Sequence, residues 1–234
     1  YNQPQDFSTS DGFKNLGYFN SIDELRNYDG DSPVGALVYV LNYHPELSGG
    51  GGLFTRVQTG EDNLGTVITT KSGLVFNRVN VPNPVPAEYF GVVRGYTGDI
   101  HSNLTACINL KKDVKVPAGY FYSSGTFYRH RGQRIIGTGT FERSITKSDS
   151  ITSIEFTKDV DGFDTTKNIA IGGGLSNLAI IAPTNSTKVG IKDGIVDVNG
   201  GVSQAIGIHN EYCYIKNFST GYLLAGWAWE VTNF

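Results

Sequence analysis

The sequence predicts an all-β protein, a small antiparallel module followed by stacked short strands, and three observations carry that prediction. Thirty of its 234 residues are glycine and 12% are aromatic. Its apolar segments are short runs separated by Gly, Asn, Asp and Ser. No long stretch has the 3.6-residue period of an amphipathic helix. Glycine supplies positive φ at turns and β-branched side chains suit a pleated surface, so this composition favours strands and tight connections.

Residues 1–12 are polar and read as a lead-in segment. "NSIDELRNY" predicts a short helix, with Ser21 as N-cap and Glu24 three residues on as its capping-box partner. Gly30 to Gly35 ends it. Four β-type runs follow, "ALVYVLNY", "GGLFTRVQ", "GTVITT" and "LVFNRV", and their spacing predicts a small antiparallel module. Between the first two lie four glycines, Gly49 to Gly52. No Lys-Ser or Lys-Thr follows them, and Thr55 breaks the dinucleotide-binding spacing, so neither phosphate-binding motif is spelled here. A turn or bulge where the backbone needs positive φ or close approach, joining strands, is the expected role.

Prolines 82, 84 and 86 force an extended connection, which places a domain boundary there. The expected organisation is a β module with a short helix over 1–81, a proline-rich connection and capping helix over 82–113, and stacked coils over 114–234. "SNLTACINLKK" predicts the second helix, capped by Ser102 or Asn103, with Leu104, Cys107 and Ile108 on one face. From Val114 onward the runs "VKVPAG", "QRIIGTG", "SITSIEF", "NLAIIA", "GIVDV", "AIGIH", "YCYIKNF" and "GYLLAGW" are each too short to be stable alone. Stacked as rungs they would bury a continuous core, the logic of a β-solenoid. "NLAII" and "YCYIKN" stand 35 residues apart. The same spacing also fits a β-sandwich.

The bulk numbers narrow the function classes. A net charge of -3 and 18% charged residues give no chain-wide footprint for nucleic acid or an anionic membrane. No apolar run approaches the ~20 residues of a membrane span, so no membrane insertion is expected and the chain reads as soluble. Cys107 and Cys213 provide no disulfide framework and read as buried thiols. The four histidines lack metal-ligand spacing, so neither metal nor cofactor is expected. The chain contains no Met, its start lacks the regions of a signal peptide, and it stops on a strand-like run, so a longer gene product is expected.

"PAEYFGVVRGYTGD", a short helix, and then "VKVPAGYFYSSG" together resemble the entry of the pectate-lyase-like right-handed parallel β-helices of bacteriophage tailspikes and related depolymerases. Pro86, Phe90, Gly91, Gly95, Val116, Pro117, Ala118 and Gly119 hold matching places. The usual Asp-Asp-Thr is absent, replaced around "DIHSNLT". The upstream segment resembles the β module that precedes the helix in many tailspikes, so the likeness covers roughly residues 11–234. It implies the first coils of a right-handed parallel β-helix with a short capping helix. It further implies a homotrimer on the virion tail, made in the host bacterial cytoplasm and joined to other phage tail proteins, which binds and usually cleaves bacterial surface polysaccharide. A non-catalytic receptor-binding or assembly segment and a bacterial pectate-lyase-like enzyme are the alternatives.

Glycoside cleavage commonly needs two carboxyl groups, whereas a lyase needs a base near a neutralised uronate. Asp197 in "DGIVDVNGG" shares a strand face with Ile195, opposite Val196 and Val198. "IHNEYCYIKNF" gathers His209, Glu211, Tyr214 and Lys216, with Cys213 and Ile215 on the other face. "GWAWE" places Trp227 and Trp229 opposite Glu230, as core residues with an exposed glutamate or as a sugar-stacking platform. The catalytic candidates are therefore Asp197, Glu211 and Glu230, and the substrate-binding candidates are Tyr214, Lys216, Trp227 and Trp229. "FYRHRGQR" concentrates Arg129, His130, Arg131 and Arg134, readable as an anion-binding patch or as a solvated strand edge or subunit contact.

Overall fold

The computed structural model describes residues 16–139, 150–166, 172–193 and 207–224. The chain divides into two compact units, Tyr1–Pro82 with Glu88–Val93, and Asn83–Ala87 with Arg94–Phe234.

The first unit contains β1 (Leu16–Ser21), α1 (Ile22–Arg26), β2 (Leu37–Asn42), β3 (Gly50–Val57), β4 (Val67–Thr69) and β5 (Val75–Arg78), in one sheet of order β1-β2-β3-β5-β4. The four strands expected from the sequence pair antiparallel. The fifth, β1, was not expected from its sequence and pairs parallel to β2. A two-residue hairpin cannot join parallel strands, and here α1 supplies the crossover. Ser21 caps that helix as expected, its Oγ accepting the Glu24 N–H at 3.1 Å. The Glu24 carboxylate reaches back one residue further than a capping box requires, to the Asn20 N–H at 2.5 Å. Ile22 and Leu25 pack with Val38, Val40, Phe54, Ile68 and Phe76 into the core of this unit.

Gly49, Gly50 and Gly52 show the positive φ expected of the run, at 121°, 74° and 149°, but the run does not take the expected position. Gly50 to Gly52 are the first residues of β3, and the turn lies before them. A Cβ on Gly51 would stand 2.0 Å from the Leu41 carbonyl oxygen, and one on Gly50 would stand 2.1 Å from that of Glu88. Backbone is packed where side chains would be. Gly51→Ala is expected to cost about 2–3 kcal/mol through overpacking, read as a lowered midpoint in equilibrium denaturation.

Asp62 fixes the loop before β4. It takes both guanidinium nitrogens of Arg26, at 2.7 and 2.9 Å, and accepts the N–H groups of Leu64 and Thr69. Burial alone would raise its pKa, yet the Arg26 bond and the backbone donors outweigh that and hold it below the ordinary carboxylate value. A depressed folded-state pKa contributes stability that is complete above the unfolded value, about 4, and is lost as pH falls through the folded one. Asp62→Asn should therefore flatten the acid limb of stability below about pH 4, measured by denaturation at stepped pH.

The second unit contains β6 (Val85–Pro86), α2 (His101–Ile108), β7 (Val114–Lys115), β8 (Gly119–Ser123), β9 (Phe127–Tyr128), β10 (Arg134–Ile136), β11 (Thr152–Phe156), β12 (Phe163–Asp164), β13 (Gly174–Ile181), β14 (Val189–Asp193), β15 (Glu211–Lys216) and β16 (Thr220–Leu224). Every pairing among these strands is parallel. Successive coils each add a rung to the same sheets, the architecture of a parallel β-helix. One path runs through β7, β10 and the start of β13, a second through β8, β11, the rest of β13 and β15, and a third through β9, β12, β14 and β16. The 35-residue spacing seen in the sequence is the register of β13 on β15, with Leu178 opposite Cys213 and Ile180 opposite Ile215. Asn177 and Tyr212, at φ 54° and 51°, turn the same corner in consecutive coils.

Aligned register stacks like side chains. Phe121, Ile154, Ile180 and Ile215 form one inward column. Phe127, Phe163, Ile191 and Tyr222 form another, with the first two rings 5.2 Å apart. Each fully buried aliphatic or aromatic side chain contributes roughly 1.5–3 kcal/mol, which short strands need because none is stable alone.

Helix α2 buries Leu104, Cys107 and Ile108 as expected. It starts earlier than its expected caps, so Ser102 and Asn103 lie inside it. Asp99 supplies the helix's first acceptor, taking the His101 N–H at 2.9 Å while also bonding Ser124 at the end of β8. No helix among the described residues is long and apolar enough to cross a membrane.

Candidate functional site

Alternation and register decide which side chains reach the outside of the coils. On the second path, Phe121 points inward, so Tyr120 and Tyr122 point out. Register then places Ser153, Ala179 and Tyr214 in line with Tyr120, and Glu155, Ile181 and Lys216 in line with Tyr122. Tyr214 and Lys216 thus share an outward face, as their alternation suggested, with Cys213 and Ile215 on the other side. At the far end of this face the Tyr120 hydroxyl donates to Glu155, and the Tyr120 and Tyr122 rings meet edge to face at 5.5 Å. Burial, followed by the Glu155 carboxylate, raises the Tyr120 pKa. The intervening Ser153, Ala179 and Ile181 are buried, so the two ends are not one continuous exposed platform.

Glu211 belongs elsewhere. It pairs with Ser176, ahead of the Tyr212 corner, and its Oε2 lies 3.4 Å from His209 Nε2. The local cluster seen in the sequence is therefore divided by a change of direction in the backbone. Cys213, beside it, is half-buried as a residue, and burial pushes its thiol up to about 12, so it is an unreactive packing group at neutral pH. Asp197, Trp227, Trp229 and Glu230 lie outside the described residues.

A cluster that local sequence reading missed sits on the third path. Phe127, Phe163 and Ile191 point inward, which turns Tyr128, Asp164 and Lys192 outward in one row. Lys192 Nζ lies 2.9 Å from Asp161 Oδ2 and 3.9 Å from Asp164 Oδ2. The bond to Asp161 is the chief reason the Lys192 pKa is raised, so the amine keeps its proton at neutral pH and does not act as a base. The Tyr128 ring can stack on a sugar ring and the Lys192 ammonium can donate to its hydroxyls or a uronate, while Asp161 is committed to Lys192 and the Val189 N–H and Asp164 is buried. The inward-outward alternation of Phe163 and Asp164 was readable. Their alignment with Lys192 required the 28-residue length of that coil.

Directly beneath this row lies a buried polar cluster. Arg129 and Asp193 are 1% and 2% exposed and pair at 3.3 Å. Arg129 also donates to the carbonyls of Gln133 and Gly172. Asp193 accepts from Thr165 Oγ1 at 3.1 Å and Asn210 Nδ2 at 2.7 Å. Burial draws the Arg129 pKa down, against the opposing pull of Asp193. Both surface readings of the arginine-rich segment are thereby corrected for Arg129, which is an internal brace, while Arg131 and Arg134 remain exposed. Among the described residues no group of three His, Cys, Asp or Glu is arranged to hold a metal ion.

A small β module followed by parallel coils is the architecture of a parallel β-helix preceded by a leader sheet. Residues 18–81 match the family described as phage tail protein small four-stranded beta-sheet domain. Among solved structures, Pantoea stewartii WceF is similar at TM-score 0.56 and 16% identity, over 89% of this chain and 35% of that one. It is described as a glycan biofilm modifying enzyme with a bacteriophage tailspike-like parallel beta-helix fold. The tailspike gp49 of Acinetobacter baumannii bacteriophage Fri1, a capsular polysaccharide depolymerase, is similar at TM-score 0.58 and 14% identity, over 84% of this chain and 42% of that one. The tailspike of Acinetobacter phage vB_ApiP_P1 is similar at TM-score 0.56 and 20% identity, over 93% of this chain and 40% of that one. The chain thus spans well under half the length of these structures. No curated protein sequence matches it.

Proposed function

We propose that the chain is part of a phage tailspike that recognises and degrades host capsular or lipopolysaccharide chains during adsorption. The observation that carries this reading is the run of parallel coils, whose fold is shared with a capsular polysaccharide depolymerase and a glycan-modifying enzyme. On this reading residues 1–81 form the leader module, 82–113 the connection and capping helix, and 114–234 the first coils. The assembled protein is a homotrimer on the virion tail, made in the host cytoplasm and joined to other tail proteins.

Tyr214 and Lys216, with Trp227 and Trp229, are the proposed sugar-contacting residues, and the Tyr128–Lys192 row extends that role to the third path. Asp197, Glu211 and Glu230 are the proposed catalytic carboxylates. Hydrolysis is favoured over elimination, because paired carboxylates are the common hydrolase device and Lys192 is held protonated. One observation favours a second reading, recognition without cleavage: Asp99, Asp159 and Asp161 are committed to hydrogen bonds that hold the coils together.

Incubation of the protein with purified host surface polysaccharide separates these readings. New reducing ends without ultraviolet absorbance indicate hydrolysis, and reducing ends with the absorbance of an unsaturated uronate indicate a lyase. Binding without either product indicates a receptor-binding segment.

A further inference from the structure

The first unit contains a cleft of about 490 Å³ between β1 and the loop that follows α1. Its walls are mostly apolar and aromatic, with Phe19, Tyr28, Val38 and Phe76 among them, and Asp31 stands at its rim. The size and lining match a small-molecule site, an apolar cleft with a few polar groups that fix orientation. Phe19 and Tyr28 meet edge to face at 5.5 Å, and the Tyr28 hydroxyl donates to the Asp31 carbonyl at 2.8 Å, so the wall and the rim are tied together. One oxygen of the Asp31 carboxylate accepts the Ser32 N–H at 2.8 Å, which orients the carboxylate and leaves its remaining acceptor capacity for a ligand. Tyr18 and Tyr39, 54% and 42% exposed, stack on the opposite face of the sheet and take no part in the cleft's aromatic wall.

We infer that this cleft binds one neutral hexopyranose residue of a polysaccharide, its C–H face against the aromatic wall and its hydroxyls on the Asp31 carboxylate. The chemistry selects this ligand. An aromatic face accepts the apolar side of a pyranose, and a carboxylate makes strong charge-assisted bonds to hydroxyl donors while repelling an acidic sugar. The inference rests on the proposed polysaccharide role of the chain and adds a second contact, within the leader module.

The test is a titration of the protein with methyl β-D-glucopyranoside, methyl α-D-mannopyranoside, methyl β-D-galactopyranoside and methyl β-D-glucuronide, read from the nuclear magnetic resonance shifts of Val38 methyls and Phe76 ring protons. At least one neutral glycoside should give saturable shifts confined to these groups, with the glucuronide weaker. Asp31→Asn should weaken the binding about tenfold, as expected for loss of one charge-assisted hydrogen bond. Asp31 is exposed, so folding is preserved, and the shifts of Phe54 report it directly. Absence of saturable shifts with every neutral glycoside would overturn the inference, as would equal binding of the glucuronide. Saturation of the cleft by an added peptide strand in place of sugars would also overturn it. Polysaccharide cleavage by the wild-type protein, assayed on the same samples, reads the degradative role separately: its absence would count against that reading and not against the cleft.

Discussion

Asp193→Ala is expected to cost about 3–5 kcal/mol, the largest effect of any single substitution in the coils. The change leaves the Arg129 guanidinium buried and without its carboxylate, and it removes the acceptor used by Thr165 and Asn210. Desolvation makes the stranded charge expensive, because little water can reach a group that is 1% exposed. Urea denaturation should show the loss as a lower midpoint with an unchanged slope. Arg129→Met combined with Asp193→Leu should recover much of it, since an apolar pair of similar volume avoids the buried charge altogether. A loss below about 1 kcal/mol for Asp193→Ala would mean that the pair is hydrated in solution and does not brace the coils. The position also matters for the surface. Asp193 follows Lys192 in β14, so a disturbed Asp193 should misplace the outward ammonium and weaken sugar contacts on the third path.

Arg78→Ala is the corresponding test in the first unit, with an expected loss of about 3–4 kcal/mol. The Arg78 side chain is an internal strut without a carboxylate partner among its described contacts. It donates to the carbonyls of Gly50 at 2.7 Å, Gly51 at 2.6 Å and Gly65 at 3.3 Å, and its guanidinium is sandwiched between the rings of Phe54 and Tyr89. Burial draws its pKa down to about 10, which still leaves it charged at neutral pH. The planar fork is the only cation that can span those carbonyls while lying flat between two rings, so Arg78→Lys should recover less than half of the loss. Thermal unfolding of both variants measures the difference. Full recovery by lysine would show that charge alone, and not the fork, holds the glycine strand in place.

Much of this was legible in the sequence because it depends on local pattern. Runs such as "ALVYVLNY", "LVFNRV", "NLAIIA" and "YCYIKNF" became strands, Ser21 became a cap, and the 35-residue offset between "NLAII" and "YCYIKN" became the register between consecutive coils. What stayed hidden depends on contacts across coils. Arg129 looks like any arginine in a basic segment, and only the stacking of β9, β12 and β14 brings it under Thr165 and against Asp193. The grouping of Asp161 and Asp164 about Lys192 is equally non-local. The glycine run signals positive φ or close approach, and both occur, but it does not say that three of the four glycines belong to a strand. Gly50 to Gly52 start a strand whose backbone lies against Leu41 and Glu88. β1 was missed because "LGYFN" lacks a clear alternation, and its parallel pairing depends on the crossover made by α1.

The central claim is recognition of a host surface polysaccharide, and it is tested most directly by binding of fluorescently labelled protein to paired host strains that differ only in that polysaccharide. Saturable binding to the coated strain, abolished in the strain without the polysaccharide and competed by the purified polymer, is the predicted result. Equal binding to both strains, or none to either, would contradict the claim.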